Sequence, residues 1–269
     1  MSDFASHFYS PIPELAPKHF TNGKASTLRD ARKGGWYPSP TTVLSVLAKP
    51  ALEAWKIRNA CQAVLTSPRR EGEALDAFFD RVLMVDKEQE QESDRAKDLG
   101  KRIHAAIEAS WKHETLEQIE GELRPAVAAA VSEVEGRCLF AERILGHSKH
   151  KVAGTVDLAT LAHRQEADFT TTPMIHIYDF KTASRIPRAP YEEARLQVSF
   201  YAAAYQDTAI REALLDGSVP PAQIRAFIIY VGTKELGTAA CYEIVDWQDT
   251  FERGFLPCLQ LWRWMKDYQ

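Results

Sequence analysis

The chain contains no apolar run close to the roughly 18 to 20 residues of a membrane-spanning helix. Met1 to Phe20 also lacks the basic-then-apolar layout of a secretory leader. The expected location is therefore cytoplasmic, with no membrane partner. Cysteine is scarce. Cys61, Cys138, Cys241 and Cys258 form no Cys-x-x-Cys pair, which argues against a structural zinc site and predicts four buried free thiols in a reducing compartment. No Gly-x-x-x-x-Gly-Lys-Ser/Thr loop is present, so no nucleotide cofactor is expected. Internal repeats and low-complexity linkers are missing too. So is any basic excess: 33 Lys and Arg face 37 Asp and Glu, a net charge of −4. That excludes a binder held to nucleic acid by bulk charge alone. It leaves room for an enzyme with a local basic groove beside acidic metal ligands.

What is present suits a globular chain. With 269 residues, 45% of them apolar, it can bury a substantial core in one large domain or two small ones. Residues 1 to about 37 read as an extended, locally basic arm. Pro11, Pro13 and Pro17 oppose helix there, and Gly34-Gly35 suggests a hairpin. Lys18, Lys24, Arg29, Arg32 and Lys33 form either a solvated face or a contact to a DNA backbone. Ser39 and Pro40 then mark a helix start, as capping residue and first helical residue. Pro50 opens a second helix to about Leu65, with Leu52, Trp55, Ala60 and Val64 at roughly helical spacing. Trp55 reads as a packed side chain or, less simply, as a base-stacking one. Two further helices are predicted. One spans about Glu71 to Glu92 and buries Leu75, Phe78, Phe79, Val82 and Leu83. The other spans about Ser93 to His113 with Leu99, Ile103, Ile107 and Trp111. The charge run from Asp86 to Asp98 reads as solvated helix surface. A short helix from Pro125 ends near Gly136.

The period then changes from helical to alternating. Strands are expected over Cys138 to Leu145, Lys151 to Leu161 and Ile175 to Thr182, with a turn around Gly146-His147-Ser148 and a loop from Ala162 to Pro173. A helix from Tyr191 to Asp216 ends at Gly217. Strands over Ile224 to Val231 and Ala239 to Val245 follow. A last helix, Trp247 to Lys266, aligns Trp247, Phe251, Phe255, Leu259 and Trp262 and should bend at Pro257. The fold class is therefore mixed α/β or α+β, with a central mixed sheet flanked by helices behind a helical N-terminal region.

Five groups of residues can carry chemistry. Asp179 and Lys181 are two apart on a strand and so share a face. The carboxylate can hold a divalent ion and the lysine can offset charge at a reacting phosphate. Tyr178 and Phe180 can pack on the opposite face. Asp157 closes Gly154-Thr155-Val156-Asp157 on the preceding strand. Antiparallel pairing can set the two acids side by side, as a shared cation requires. Gly154 permits a tight turn or a close approach. His104 lies one helical turn after Gly100, which leaves room beside the imidazole; Lys101, Arg102 and Glu108 nearby fit an ordinary polar face equally well. Gln197 and Tyr201, four apart, share a helix face beside Leu196, Phe200 and Ala203. The glutamine can orient the lysine, contact a phosphate, or be a satisfied core polar group. Glu142 is a further metal-shell carboxylate or a strand residue paired with Arg143 or Lys151.

The series Gly100-x-x-x-His104, Gly154-x-x-Asp157, Asp179-x-Lys181, Gln197-x-x-x-Tyr201 resembles the RecB-type branch of the PD-(D/E)XK nuclease superfamily over about residues 95 to 205. Tyr37 to Arg58 is similar to the N-terminal helices of phage-encoded exonucleases of that branch. The resemblance implies a restriction-endonuclease-like core over residues 95–269, continuous with a DNA-binding arm and helical region over residues 1–94. It implies Mg²⁺ or Mn²⁺ held by His104, Asp157, Asp179 and the Phe180 carbonyl, with Glu142 as an additional candidate. Lys181 matches the catalytic lysine, and Gln197 and Tyr201 the accessory motif. Some relatives carry an iron–sulfur cluster on a close late cysteine trio. Here Cys241 and Cys258 are the only late cysteines, so no cluster is expected. The implied activity is metal-dependent DNA hydrolysis, as an exonuclease of recombination, repair or degradation in a bacterial or phage-infected cell. Implied partners are DNA and a recombinase or single-strand-binding protein. A nuclease-fold binding module that does not cut, and a structure-specific endonuclease, are the alternatives.

Overall fold

The computed structural model describes residues 8–9, 20–21, 24–25, 27–112, 118–165, 171–217 and 223–269. The expected contributions of Pro11, Pro13, Pro17, Lys18 and His113 lie outside the described residues, as do the side chains of Lys24, Leu52, Trp55 and Leu83.

In chain order the elements are β1 (Phe8–Tyr9), β2 (Phe20–Thr21), β3 (Lys24–Ala25), α1 (Leu28–Gly34), β4 (Tyr37–Pro38), α2 (Pro40–Val43) and a 3₁₀ turn (Leu44–Val46). Then come α3 (Pro50–Thr66), α4 (Leu75–Lys112), α5 (Arg124–Ser132), β5 (Arg137–His147), β6 (Val152–Gln165), β7 (Thr171–Ala183) and α6 (Glu192–Asp216). The chain closes with β8 (Ile224–Gly232), β9 (Ala239–Glu243), α7 (Trp247–Asp249), a π-helical stretch (Thr250–Phe255) and α8 (Leu256–Lys266).

Two compact units result. Met1–Leu47 joins Ile103–Gln269 in the larger one, and Ala48–Arg102 forms the smaller. The arm is built into the sheet unit. β1 pairs antiparallel with β4. Phe8 is buried and stacks on Tyr268, and the Tyr9 hydroxyl bonds Thr155 Oγ1 at 3.2 Å.

The larger unit carries a five-stranded mixed sheet in the order β5-β6-β7-β8-β9. Only the β7–β8 pair is parallel, and α6 is the crossover that this pairing requires. α6 is buried on nearly every side from Ala194 to Ala204, so its residues read as a near-continuous small and apolar run. Ile175, Ile177, Ala226, Ile228 and Tyr230 share one core cluster with Val198 and Phe200 of α6. The parallel register sets Asp179 beside Ile228 and Lys181 beside Tyr230. The odd-numbered residues of β7 therefore face α6, and His176, Tyr178 and Phe180 face away.

Several boundaries differ from expectation for local reasons. Gly34-Gly35 is no hairpin. It ends α1, with Gly35 in the left-handed region (φ 60°) as the helix stop. Ser39 does cap α2, accepting from the Thr42 N–H, with Pro40 in the first turn. The β5–β6 turn falls over residues 148–151, after strands that run past Gly146. β6 continues to Gln165 and β7 begins at Thr171, so both strands run into the stretch from Ala162 to Pro173 that was expected as loop. At the C-terminus the chain passes through a π-helical stretch before Pro257, which sits in the first turn of α8 where its missing N–H is tolerated.

In the smaller unit the two expected helices over 71–113 are one, α4, whose last turns belong to the larger unit. Its core is Ala63, Phe78 and Val82. Ala60, Val64, Leu75 and Phe79, expected inside, are exposed: two helices here leave one seam to bury, too narrow for a wide apolar stripe. Glu73 ties the α3–α4 connection together through Arg81, and that guanidinium holds its carboxyl down to about 2. The four cysteines are free, as expected. They are not buried: Cys61 is exposed and the others are half-buried.

Candidate active site

The site begins where two strands part. β6 and β7 pair from Gln165↔Thr171 to Leu158↔Tyr178, and no further. Both strands continue beyond that point, so the next residues, Asp157 and Asp179, stand opposite each other without a backbone ladder. The Phe180 N–H would otherwise lose its partner there. Asp157 Oδ2 takes it, at 2.7 Å. A side chain thus replaces a ladder bond and keeps the opening between the strands satisfied.

Asp179 is 1% exposed. Lys181, two residues along the same face, places its Nζ 3.0 Å from Oδ1 and 2.7 Å from Oδ2 of Asp179. Burial pushes the Asp179 carboxyl up to about 6, against the pull of Lys181, and Asp157 adds to the rise. Burial also raises Asp157, opposed by Lys181 and the Phe180 N–H, with Glu108 adding a smaller push upward. The Lys181 ammonium is penalised by burial but held above its ordinary value by Asp179 and Asp157. Two acids therefore share one cation, and the cluster carries excess negative charge in a poorly solvated place. Among the described residues, Asp179 Oδ2 is approached by Lys181 Nζ alone, at 2.7 Å.

His104, on α4, joins the same electrostatic neighbourhood. Burial lowers its pKa first, Lys181 lowers it further, and Asp179 pulls the other way. A neutral imidazole is the form that ligates metals. From α6, Gln197 Nε2 donates to the Tyr201 hydroxyl at 2.8 Å. Burial holds the Tyr201 hydroxyl well above the ordinary phenol value, helped by Asp179 and Asp157, so it keeps its proton. Gly154 explains how the ring fits. A Cβ there would meet Tyr201 Cε1 at 2.8 Å and Pro40 Cδ at 3.0 Å. The glycine serves a close approach of two rings rather than a turn.

The predicted residues thus fall into a tight centre and a rim. Asp157, Asp179 and Lys181 form the centre, and the Gln197–Tyr201 pair and His104 surround it. Among the described residues, no three His, Cys, Asp or Glu side chains stand close enough to hold an ion as they are. The donor types nonetheless suit a hard divalent cation: two carboxylates, one of them buried, and a neutral imidazole. Phe180 meets the site through its N–H, which Asp157 Oδ2 accepts. Glu142 has φ 53°, an unusual value within a strand. It lines a cleft of ≈ 290 Å³ with Tyr9, Thr155, Asp157 and Tyr201, while neighbouring Arg143 pairs with Glu212.

Glu108 was seen in the sequence only as part of a polar face. It lies one helical turn beyond His104 and pairs with Lys112, and the four-residue spacing could have flagged it. Tyr9 gave no signal, since nothing local to the arm shows that it reaches the site. Compared with known protein families and with curated proteins, the chain finds no match.

Proposed function

We propose that the protein is a Mg²⁺- or Mn²⁺-dependent deoxyribonuclease acting from DNA ends. The observation that carries this is the Asp157–Asp179–Lys181 cluster at the parting of β6 and β7, with Asp179 buried, its two neighbours half-buried, and two acids to one cation among the described residues. The resemblance to RecB-type nucleases supports it through the order and spacing of the same residues.

Asp157 and Asp179 would hold the ion, with His104 as the third donor. A bound ion would supply an activated water and a Lewis acid for the phosphoryl oxygen. Lys181 now spans both oxygens of Asp179. With an ion bound, Lys181 would share that carboxylate and could offset the charge that develops on the phosphate's non-bridging oxygens. Asp157 keeps the strand gap open by holding the Phe180 N–H. Tyr201, protonated and fixed by Gln197, presents its hydroxyl as a neutral donor.

The test is digestion of linear and covalently closed circular DNA with Mg²⁺ or Mn²⁺ by the wild type and by Lys181→Ala. The expected result is ion-dependent loss of linear DNA by the wild type alone. Cutting of closed circles at the same rate would favour an endonuclease. Equal activity in both proteins, or none on any DNA, would remove the proposal.

A further inference from the structure

The connection from β7 to α6 leaves the lysine of the site and comes back to it. β7 ends at Ala183, two residues after Lys181. α6 begins at Glu192, and Tyr191, just before it, gives its N–H to the Tyr230 hydroxyl at 3.1 Å. Tyr230 is the β8 neighbour of Lys181 in the ladder. Between these ends the connection is held in shape. The Tyr242 hydroxyl donates to the Pro187 carbonyl, and Ile186 packs against the core. Three large side chains stay outside that packing. Arg185 and Arg188 are exposed, and among the described residues neither has a hydrogen bond or an ion pair. Tyr191 is 60% exposed, with its ring edge-on to Tyr230 at 5.8 Å between centroids.

Charge here runs against the average of the chain. The net charge is −4, yet Phe180 to Tyr191 holds Lys181, Arg185 and Arg188 and no acid. The next acid, Glu192, is paired with Arg195. The Thr233 N–H bonds the Ala183 carbonyl, which brings in the β8–β9 turn, where Lys234 and Glu235 add one charge of each sign. A residue advances at most about 3.6 Å along an extended chain. The Arg185 backbone therefore lies within about 14 Å of Lys181, and that of Arg188 within about 11 Å of Tyr191. These are spans of a few nucleotides. Unpaired cations and an exposed aromatic ring on a fixed backbone are the two parts of a surface that holds unpaired nucleic acid: cations follow the phosphates, and a ring stacks on a base. A base inside a duplex has both faces covered and cannot use such a ring. Resting on the nuclease reading above, we infer that residues Ser184 to Tyr191 hold an unpaired stretch of the DNA strand beside the bond to be cut. Arg185 and Arg188 take phosphates, and Tyr191 takes a base.

The experiment uses the full chain and a short fluorescent DNA strand, alone and paired into a blunt duplex. Binding is read by anisotropy in Ca²⁺ over a range of salt, and degradation separately in Mg²⁺. The wild type should bind the unpaired strand about tenfold or more tightly than the duplex. The slope of log affinity against log salt on that strand should flatten by about 0.7 for each arginine lost in Arg185→Ala and Arg188→Ala. Arg188→Lys should keep the wild-type slope, because the slope counts charge. Tyr191→Leu should lose the preference for the unpaired strand, and Tyr191→Phe should keep it. Slope and preference are internal to each variant, so a loss of folded protein does not mimic the result. Wild-type binding that is equal or tighter on the duplex, or slope and preference unchanged in the variants, overturns the grip; degradation of DNA by the same protein leaves the nuclease reading intact. The expected slopes and preference in a chain that degrades no DNA do the reverse. No binding to either DNA overturns both.

Discussion

The two faces of β7 treat buried polar groups in opposite ways. On the face away from α6, His176 and Tyr178 are buried and kept neutral. Burial lowers His176 and pushes the Tyr178 hydroxyl up to about 12. The hydroxyl is matched by the Glu135 N–H at 3.0 Å and by His176 Nδ1 at 3.1 Å, and the Tyr178 ring stacks on Phe227. That face is packed and neutral, with His176 Nε2 left without a hydrogen bond. On the α6 face, Asp179 is buried and Lys181 half-buried, both as charges, and Asp157 faces them across a gap where the ladder stops. A single strand thus carries a structural polar cluster and a cluster with excess charge, and neutrality separates them. Burying charge is expensive unless something balances it. An unbalanced set next to an open strand gap is what supports the proposed ion site.

This contrast can be broken from either side. The largest effect is expected from Lys181→Ala, which removes the cation that holds Asp179. Loss of one charge-stabilising group should lower kcat by about 10² to 10³, read in the linear-DNA assay. Gly154→Ala comes next. Its methyl would enter the space of the Tyr201 ring and Pro40, costing about 1–3 kcal/mol in denaturant unfolding and also lowering activity, because Tyr201 must move. Tyr178→Phe should separate the faces. Loss of its hydrogen bonds should cost about 1–2 kcal/mol of stability, while activity per folded molecule stays within about twofold, since neither partner faces the acids. An activity loss as large as that of Lys181→Ala would erase the distinction between the faces.

The smallest and most informative effect is on pH. Asp179 sits at about 6 when folded, above its ordinary value, so the folded chain keeps this proton longer than the unfolded one. Ion-free protein should lose stability as pH rises from about 4 to about 6, the reverse of a salt-bridged acid with a lowered pKa. Activity should fall below about pH 6, because a protonated Asp179 cannot hold an ion. Raising Mg²⁺ should move that limb to lower pH, since the ion and the proton compete for one carboxylate.

Much of the scaffold was legible because it obeys local rules. Ser39-Pro40 and Gly217 fixed helix ends by capping chemistry, and the alternating runs located all five strands of the sheet. The pairing of Asp179 with Lys181 followed from strand period alone. What could not be read is where a ladder stops. Nothing in Val156-Asp157-Leu158 says that pairing to β7 ends at Leu158, yet that ending makes the gap and gives Asp157 the Phe180 N–H. The arm misled for a similar reason. Phe8 and Tyr9 enter the core through partners 260 and 146 residues away, and composition near prolines reports only local stiffness. In the smaller unit, helical spacing of apolar residues did not reveal which of them would find a surface to cover.

The most direct test of the central contrast is calorimetric titration of Mn²⁺ into the wild type and into Asp179→Asn, with Tyr178→Phe as the control from the other face. The predicted result is saturable binding to the wild type and to Tyr178→Phe, with affinity lowered about tenfold or more in Asp179→Asn, because one of the two carboxylates of the site is gone. No saturable binding to the wild type, or equal affinity in Asp179→Asn, would contradict the assignment of the acid pair to a divalent ion.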